Sequence, residues 1–70
     1  MALHFFHLRS GPRVELDTQG IDCVDLAAAK RHAVELAAGQ GARDDDWRIE
    51  IADAAGQYIA SVDRNGVVAD

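Results

Sequence analysis

The feature that most constrains this chain is a strict alternation of apolar and polar side chains over residues 47–51. The apolar positions are Trp47, Ile49 and Ile51. A period of two is typical of a β-strand that buries one face. Residues 53–56, Asp-Ala-Ala-Gly, have the composition of a type I turn followed by a glycine bulge, and residues 58–62 can form the partner strand. We therefore predict a β-hairpin that places Trp47 in the core.

Two more strands are predicted near the N-terminus. Residues 2–9 are an apolar, aromatic-rich run, typical of a strand with both faces partly covered. A Ser-Gly-Pro turn follows. Charged and apolar residues then alternate over residues 13–16, which predicts that Val14 and Leu16 point inward. Residues 17–20, Asp-Thr-Gln-Gly, predict a second turn.

A single helix is predicted over residues 26–38, where the hydrophobic period becomes helical. Its apolar stripe consists of Leu26, Ala29, Ala33, Leu36 and Ala37. Asp22 or Asp25 can cap its start by accepting a backbone N–H, and Gly39 or Gly41 can end it in a left-handed conformation. Because the stripe is mostly alanine, the helix can approach a sheet closely, but the large core side chains must come from the strands.

These elements predict an α+β protein of the order β-β-α-β-β, an antiparallel sheet of three to four strands with one helix packed on one face. The chain of 70 residues is expected to form a single small domain over residues 1–70, with residues 63–70 as a tail open to fraying. Residues 40–46 are polar and predict an exposed connection. The strand order stays open. A domain of this size buries only about 60% of the surface of its unfolded chain, so a second copy would help to stabilise it.

Composition argues against several classes of function. Seven Lys and Arg against twelve Asp and Glu give a formal net charge of −5, and the cations are scattered, which disfavours direct nucleic-acid binding. The three aspartates at positions 44–46 would repel an anionic membrane surface. We expect no signal peptide and no membrane span. Cys23 is the only cysteine, so no disulfide can form within the chain, and the expected location is the reducing cytoplasm.

An ordered set of short motifs resembles a known family. The motifs are Phe5-Phe6-His7-Leu8-Arg9, Asp17 with Gly20, Asp25-Leu26 followed by Ala29 and Ala33, Trp47-Arg48-Ile49-Glu50-Ile51, and Asp53-Ala54-Ala55-Gly56. Over about residues 3–62 they resemble a family of short uncharacterised proteobacterial proteins of rhizobia and related alphaproteobacteria, known only as a domain of unknown function. The resemblance implies a bacterial cytoplasmic origin, and it implies no activity, cofactor or catalytic residue.

Candidate catalytic and metal-binding residues are few. His4, His7 and His32 are the only imidazoles. His4 and His7 are an odd number of positions apart, so on a strand they point to opposite faces and cannot chelate one ion. Cys23 precedes the helix, but the aspartates on either side oppose a thiolate, so a structural thiol is expected. We therefore expect no catalytic residue, no metal site and no cofactor.

A candidate interaction face is predicted on the first strand. The residues that share the face opposite the helix, if Phe6 and Leu8 point to the helix, are Phe5, His7 and Arg9. Such a set can bind a carboxylate, a phosphate or an acidic loop, or it can be covered by a second copy. The second copy is favoured because an exposed Phe5 beside Tyr58 or Ile59 would form an apolar patch.

The leading hypothesis is a small non-enzymatic protein-interaction or regulatory module that acts as a homodimer, through an open sheet edge or through the sheet face opposite the helix. Its expected partners are a second copy and another protein. One alternative is an antitoxin-like regulator near nucleic acid, either as the acidic partner of a basic protein or through Arg9, Arg13 and Arg48 gathered on one face. The other is a small metal- or ligand-binding protein that uses its histidines.

Overall fold

The structure, a computed structural model, describes residues 2–40 and 46–69. In chain order its elements are β1 (Ala2–Ser10), β2 (Arg13–Glu15), β3 (Ile21–Cys23), α1 (Leu26–Ala38), β4 (Trp47–Ala52), β5 (Tyr58–Asp63) and β6 (Val68–Ala69). The strands form one antiparallel sheet with α1 packed on it, which confirms the α+β prediction. Within the described ranges the sheet has six strands rather than three or four, because the short strands β3 and β6 join it. Within the predicted connection over residues 40–46, positions 41–45 lie outside the described residues.

The centre of the sheet is the pairing of β1 with β4. The strand order is β2-β1-β4-β5-β6, and β3 also pairs with β1. Residues 5–10 of β1 pair antiparallel with residues 47–52 of β4, so that Phe6 lies opposite Ile51 and Leu8 lies opposite Ile49. Side chains of opposed residues share a face, and this face is the one that α1 covers.

β2 and β3 are two parts of one interrupted edge strand. Glu15 at the end of β2 pairs with Leu8, and Ile21 at the start of β3 pairs with His4. Glu15 and Ile21 are six positions apart in the chain, whereas their partners Leu8 and His4 are four positions apart. Two extra residues must therefore bulge out of the edge strand between β2 and β3. The predicted turn at residues 17–20 is part of this detour.

α1 covers the same residues as the predicted helix. The carboxylate of Asp25 accepts the backbone N–H of Ala28 at 2.8 Å, so Asp25 is the N-cap. The left-handed conformation expected at Gly39 is wrong, because Gly39 has a right-handed φ of −77° and its N–H still donates to the helical carbonyls of Glu35 and Leu36. Gly41, the other position expected to end the helix, lies outside the described residues. The buried residues of α1 are Ala29, Ala33 and Ala37. These methyl side chains let the helix backbone lie close to the sheet.

The sheet supplies the large side chains of the core. The buried core residues of the strands are Phe6, Cys23, Trp47, Ile49, Ile51, Ala60 and Val62. Trp47 is only 4% exposed, which confirms its predicted burial. The largest fully buried side chains are Ile51 and Val62. The core is therefore small, and nine large apolar side chains of the described residues stay exposed.

The inward orientation predicted for Val14 and Leu16 is wrong. All three residues of β2 are exposed, and Leu16 keeps 69% of its surface in contact with solvent. Val14 pairs with Arg9, whose face is the one opposite α1. Alternation shows which residues share a face, but it does not show whether that face is covered. At this edge of the sheet, the side chains of Val14 and Leu16 are not covered.

Two turns of the same construction connect β4, β5 and β6. Asp53 Oδ1 accepts the N–H groups of Ala55 and Gln57, and the Gly56 N–H donates to the carbonyl of Asp53. Gly56 has a φ of +86°, which confirms the predicted turn followed by a glycine. Asp63 repeats this arrangement at the same offsets. The second turn leads the chain into β6, inside the segment where the sequence allows a frayed tail.

α1 has 13 residues, whereas a membrane span needs about 20. Among the residues that the structure describes, no helix combines the length and the apolar character that crossing a membrane requires.

Gly20, in the detour between β2 and β3, is the first site for a stability test. A Cβ on Gly20 would lie 2.8 Å from Leu3 Cδ1 and 3.0 Å from Phe5 Cε1, and its φ is +73°. We expect Gly20→Ala to lower the free energy of unfolding by about 2–4 kcal/mol through strain and crowding. Gly11→Ala is the matched control, because Gly11 has a φ of +59° but no atom within 4 Å of the added Cβ. Its expected cost is about 1 kcal/mol.

Urea unfolding followed by the fluorescence of the buried Trp47 measures both variants. Equal losses of stability in the two variants would contradict the close contact of Gly20 with β1.

Candidate interaction surface

Exposed apolar side chains concentrate at one edge of the sheet. Five of the nine exposed large apolar residues lie between positions 14 and 26. These residues, called the edge surface below, are Val14, Leu16, Ile21, Val24 and Leu26. They run from β2 through β3 to the start of α1, and Leu16 and Val24 are 69% and 68% exposed. A concentration of apolar surface on a small protein indicates a contact site.

A groove of about 410 Å³ lies between α1 and this edge of the sheet. Its apolar lining consists of Phe6, Leu8, Leu16, Ile21, Leu36 and Ile49. Its polar lining includes Glu15, Gln19, His32 and Gln40. Leu16 and Ile21 belong both to the groove and to the edge surface, so the two features meet at these residues, whereas Val14 lies on the other face of the sheet.

Asp17 fixes the detour that shapes this region. Its Oδ2 accepts the N–H of Phe6 at 3.1 Å, and its Oδ1 accepts the N–H groups of Gln19 and Gly20 at 3.1 and 3.0 Å. The Asp17 N–H donates to Nδ1 of His7 at 2.9 Å. Partial burial raises the pKa of Asp17, but the N–H donors of Gly20, Phe6 and Gln19 outweigh burial and hold its pKa below the ordinary value. At the middle of β1 the Asp17 carboxylate thus accepts the backbone hydrogen bond that a neighbouring strand would otherwise accept.

The predicted interaction face lies on the side of the sheet opposite α1. Phe5, His7 and Arg9 alternate with core-facing residues of β1, so they share this side. The rings of Phe5 and His7 are stacked, with centroids 6.2 Å apart and planes inclined by 4°. Phe5 is partly buried beneath Gly20. The structure brings the three residues onto one side, and their role in binding stays a prediction.

Glu50 of β4 joins two arginines on the same side. Its Oε2 lies 3.1 Å from Arg9 Nε and 3.0 Å from Arg48 Nη2. Partial burial raises the pKa of Glu50, but the hydrogen bonds and charges of Arg9 and Arg48 outweigh burial and hold its pKa below the ordinary value. Both guanidinium groups are well exposed, so each pair contributes at most about 1 kcal/mol. This part of the face is a polar network.

The histidines do not come together. His4 is buried and its Nδ1–H donates to the carbonyl of Ala2 at 2.9 Å, whereas His7 lies on the other face of β1. His32 lies on α1 with its ring edge-on to Phe6 at 4.9 Å, and its buried Nε2 has no hydrogen-bond partner among residues 2–40 and 46–69. In the part of the chain that the structure describes, no three His, Cys, Asp or Glu side chains are grouped to hold a metal ion.

Cys23 and the three arginines occupy separate places. Cys23 ends β3 with a buried thiol, as expected for a structural cysteine, and its Sγ lies 3.7 Å from the carbonyl oxygen of Ile21. Arg13 pairs with Ser10 and therefore projects to the side of the sheet that carries α1, away from Arg9 and Arg48. The three arginines do not gather on one face.

The sequence alone does not reveal the edge surface. Ile21 and Val24 follow a segment that reads as a turn, and Leu16 belongs to an alternation typical of a covered strand. One sequence signal could have indicated it: residues 14–26 contain several apolar side chains beside polar turn residues, and this segment is too short to form a core of its own.

These features define a small α+β protein with an exposed apolar edge. The model of the family described as "Domain of unknown function (DUF6894)" matches residues 3–63, and the chain belongs to this family. The match confirms the resemblance to a domain of unknown function. No curated protein and no solved structure matches the chain.

The depressed pKa of Asp17 predicts a loss of stability in acid. A carboxylate whose pKa is lower in the folded than in the unfolded chain stabilises the fold above its unfolded pKa, about 3.9 for Asp, and this contribution disappears as the pH falls through the folded pKa. At pH 7 we expect Asp17→Asn to cost about 1–3 kcal/mol of unfolding free energy, because three N–H groups lose a charged acceptor. Below about pH 4 the unfolding free energies of Asp17→Asn and of the original chain should approach each other.

Urea unfolding at neutral and acid pH measures this dependence. Asp22→Asn, at an exposed position of β3, removes the same charge and should leave stability nearly unchanged. A difference between the original chain and Asp17→Asn that stays constant with pH would refute the role of the ionised carboxylate.

Proposed function

We propose that this protein is a small non-enzymatic interaction module that acts as a homodimer, with the edge surface as its contact area. The observation that carries the proposal is the concentration of five exposed large apolar side chains along one edge. The same edge ends in β2, a terminal strand of the sheet whose described pairing is with β1. An edge strand offers backbone hydrogen-bonding groups to another chain, so apolar and hydrogen-bonding surfaces coincide there.

The size of the core supports association. α1 contributes only alanines to the fully buried set, and Ile51 and Val62 are the largest side chains without solvent contact. Covering Leu16 and Val24 would remove apolar surface from water, at about 25 cal/mol for each Å² buried. A second copy is therefore a physically favourable partner for a chain of this size.

The face of Phe5, His7 and Arg9 is a weaker candidate for the dimer contact. Arg9 is bound to Glu50 there, and Phe5 is already partly covered. Burying this face would remove water from a charged network, which costs free energy unless the partner replaces each lost contact. The face remains available to a second, different protein.

The reducing bacterial cytoplasm is the proposed location. Cys23 is the sole cysteine and its buried thiol packs as a small apolar side chain. Direct nucleic-acid binding has less support, because the net charge is −5 and Arg13 lies apart from Arg9 and Arg48.

Leu16→Asp tests the contact area. At micromolar concentration the original chain should elute with twice the mass of one chain in size-exclusion chromatography with light scattering. Leu16→Asp places a charge in the apolar contact and should shift the protein to a monomer. Its circular dichroism spectrum should stay unchanged, because Leu16 is exposed in the single chain. Val67→Asp is the matched control at a residue 60% exposed beside the opposite edge strand, and it should stay dimeric.

Two outcomes contradict the proposal. A folded monomer of the original chain at these concentrations would remove the homodimer. Dissociation by Val67→Asp but not by Leu16→Asp would move the contact to the β6 edge.

A further inference from the structure

We infer that two copies join through antiparallel pairing of β2 with β2, about a twofold axis that passes between the two Val14 residues. This inference rests on the proposed homodimer and specifies its register. β2 is the terminal strand of the sheet on this side and contains Arg13, Val14 and Glu15. All three residues are exposed in the single chain, so a second strand can approach without displacing a side chain from the core.

The charges of β2 are self-complementary in this register. Arg13 and Glu15 are two positions apart, so they project to the same face, the one that carries α1. Twofold antiparallel pairing centred on Val14 places Arg13 of each copy opposite Glu15 of the other. Two ion pairs then form on one face, and the two Val14 side chains meet on the other face. Directly opposed charges of opposite sign stabilise antiparallel strands, and like charges destabilise them.

Other alignments lack this match. Sliding the pairing by two residues places Arg13 opposite Arg13 in one direction and Glu15 opposite Glu15 in the other. An in-register parallel alignment places Arg13 opposite Arg13 and Glu15 opposite Glu15, and a parallel alignment shifted by two residues keeps one Arg13–Glu15 pair instead of two. The charge pattern therefore selects one register among those that keep the faces aligned.

Of the edge surface, the chosen register reaches Val14 and Leu16. The same twofold symmetry brings Leu16 of one copy beside Pro12 of the other, at the two ends of the paired segment. Leu16 is 69% exposed in the single chain, and contact with the proline ring would remove apolar surface from water. Proline has no backbone N–H, so the hydrogen-bonded ladder ends there. β6, at the opposite edge, consists of Val68 and Ala69 and has no charge pair of this kind.

Charge reversal tests the register. Arg13→Glu alone puts carboxylates at both charged positions of β2, and Glu15→Arg alone puts guanidinium groups at both. Each variant should dimerise about tenfold to a hundredfold more weakly than the original chain in sedimentation equilibrium at low salt. An equimolar mixture of the two variants should recover a dimer, because each ion pair then reforms between different chains. The double variant Arg13→Glu/Glu15→Arg should also regain self-association, to within about threefold of the original chain.

Arg31→Glu is the matched control, because Arg31 is exposed on α1 and is not part of β2. The same change of charge there should leave the dissociation constant unchanged. Circular dichroism of each variant confirms that the fold is kept. High salt should bring the dissociation constants of the single variants closer to that of the original chain, because salt screens the charges.

The outcomes separate this inference from the proposed function. If Leu16→Asp dissociates the dimer while the single charge reversals and their mixture behave like the original chain, the register is refuted and the homodimer stands. If the double variant or the mixture fails to recover a dimer that the single variants lose, the pairing of Arg13 with Glu15 is refuted. A monomeric original chain overturns both proposals.

Discussion

The packing of an alanine-lined helix against the sheet is the constraint on which the rest of this structure depends. Ala29 and Ala33 have no solvent contact, so the backbone of α1 lies close to the sheet and leaves little room for large side chains from the helix. The strands must then fill the core, and they do so with few large residues. A helix of 13 residues cannot cover a six-stranded sheet, and β2 lies beyond it. The exposed edge surface follows from this geometry.

A second constraint gives that edge its shape. Among the described strands, none lies beside the middle of β1 on this side, because the chain leaves the strand path between β2 and β3. Asp17 compensates by accepting the N–H of Phe6, and Gly20 permits the return because a side chain there would meet Leu3 and Phe5. A single carboxylate and a single glycine therefore keep β2 and β3 in line, and the groove beside α1 depends on both residues.

The sequence predicts local structure well where a segment carries its own periodic signal. α1, the alternation that starts at Trp47 and the Asp53 turn are examples, and the shared face of Phe5, His7 and Arg9 follows from the same reasoning. β3 and β6 carry no such signal, since they are strands only because the chain returns beside β1 and β5. The joining of Arg9 and Arg48 by Glu50 depends on the register of two distant strands. The exposure of Leu16 depends on which elements α1 covers. Local sequence patterns contain neither the register of distant strands nor the set of strands that the helix covers.

The brevity of β2 has a consequence for the stoichiometry of assembly. Three residues between a proline-containing turn and the Asp17 detour form a ladder that can accept one neighbour and cannot be lengthened along the strand. In the proposed symmetric pair, Arg13 and Glu15 of both copies are already paired. The opposite edge strand, β6, has only two residues, so it offers a third copy few backbone hydrogen bonds. Open sheets risk unlimited stacking into fibrils. The short strand that would permit the proposed association would therefore also limit it to two copies.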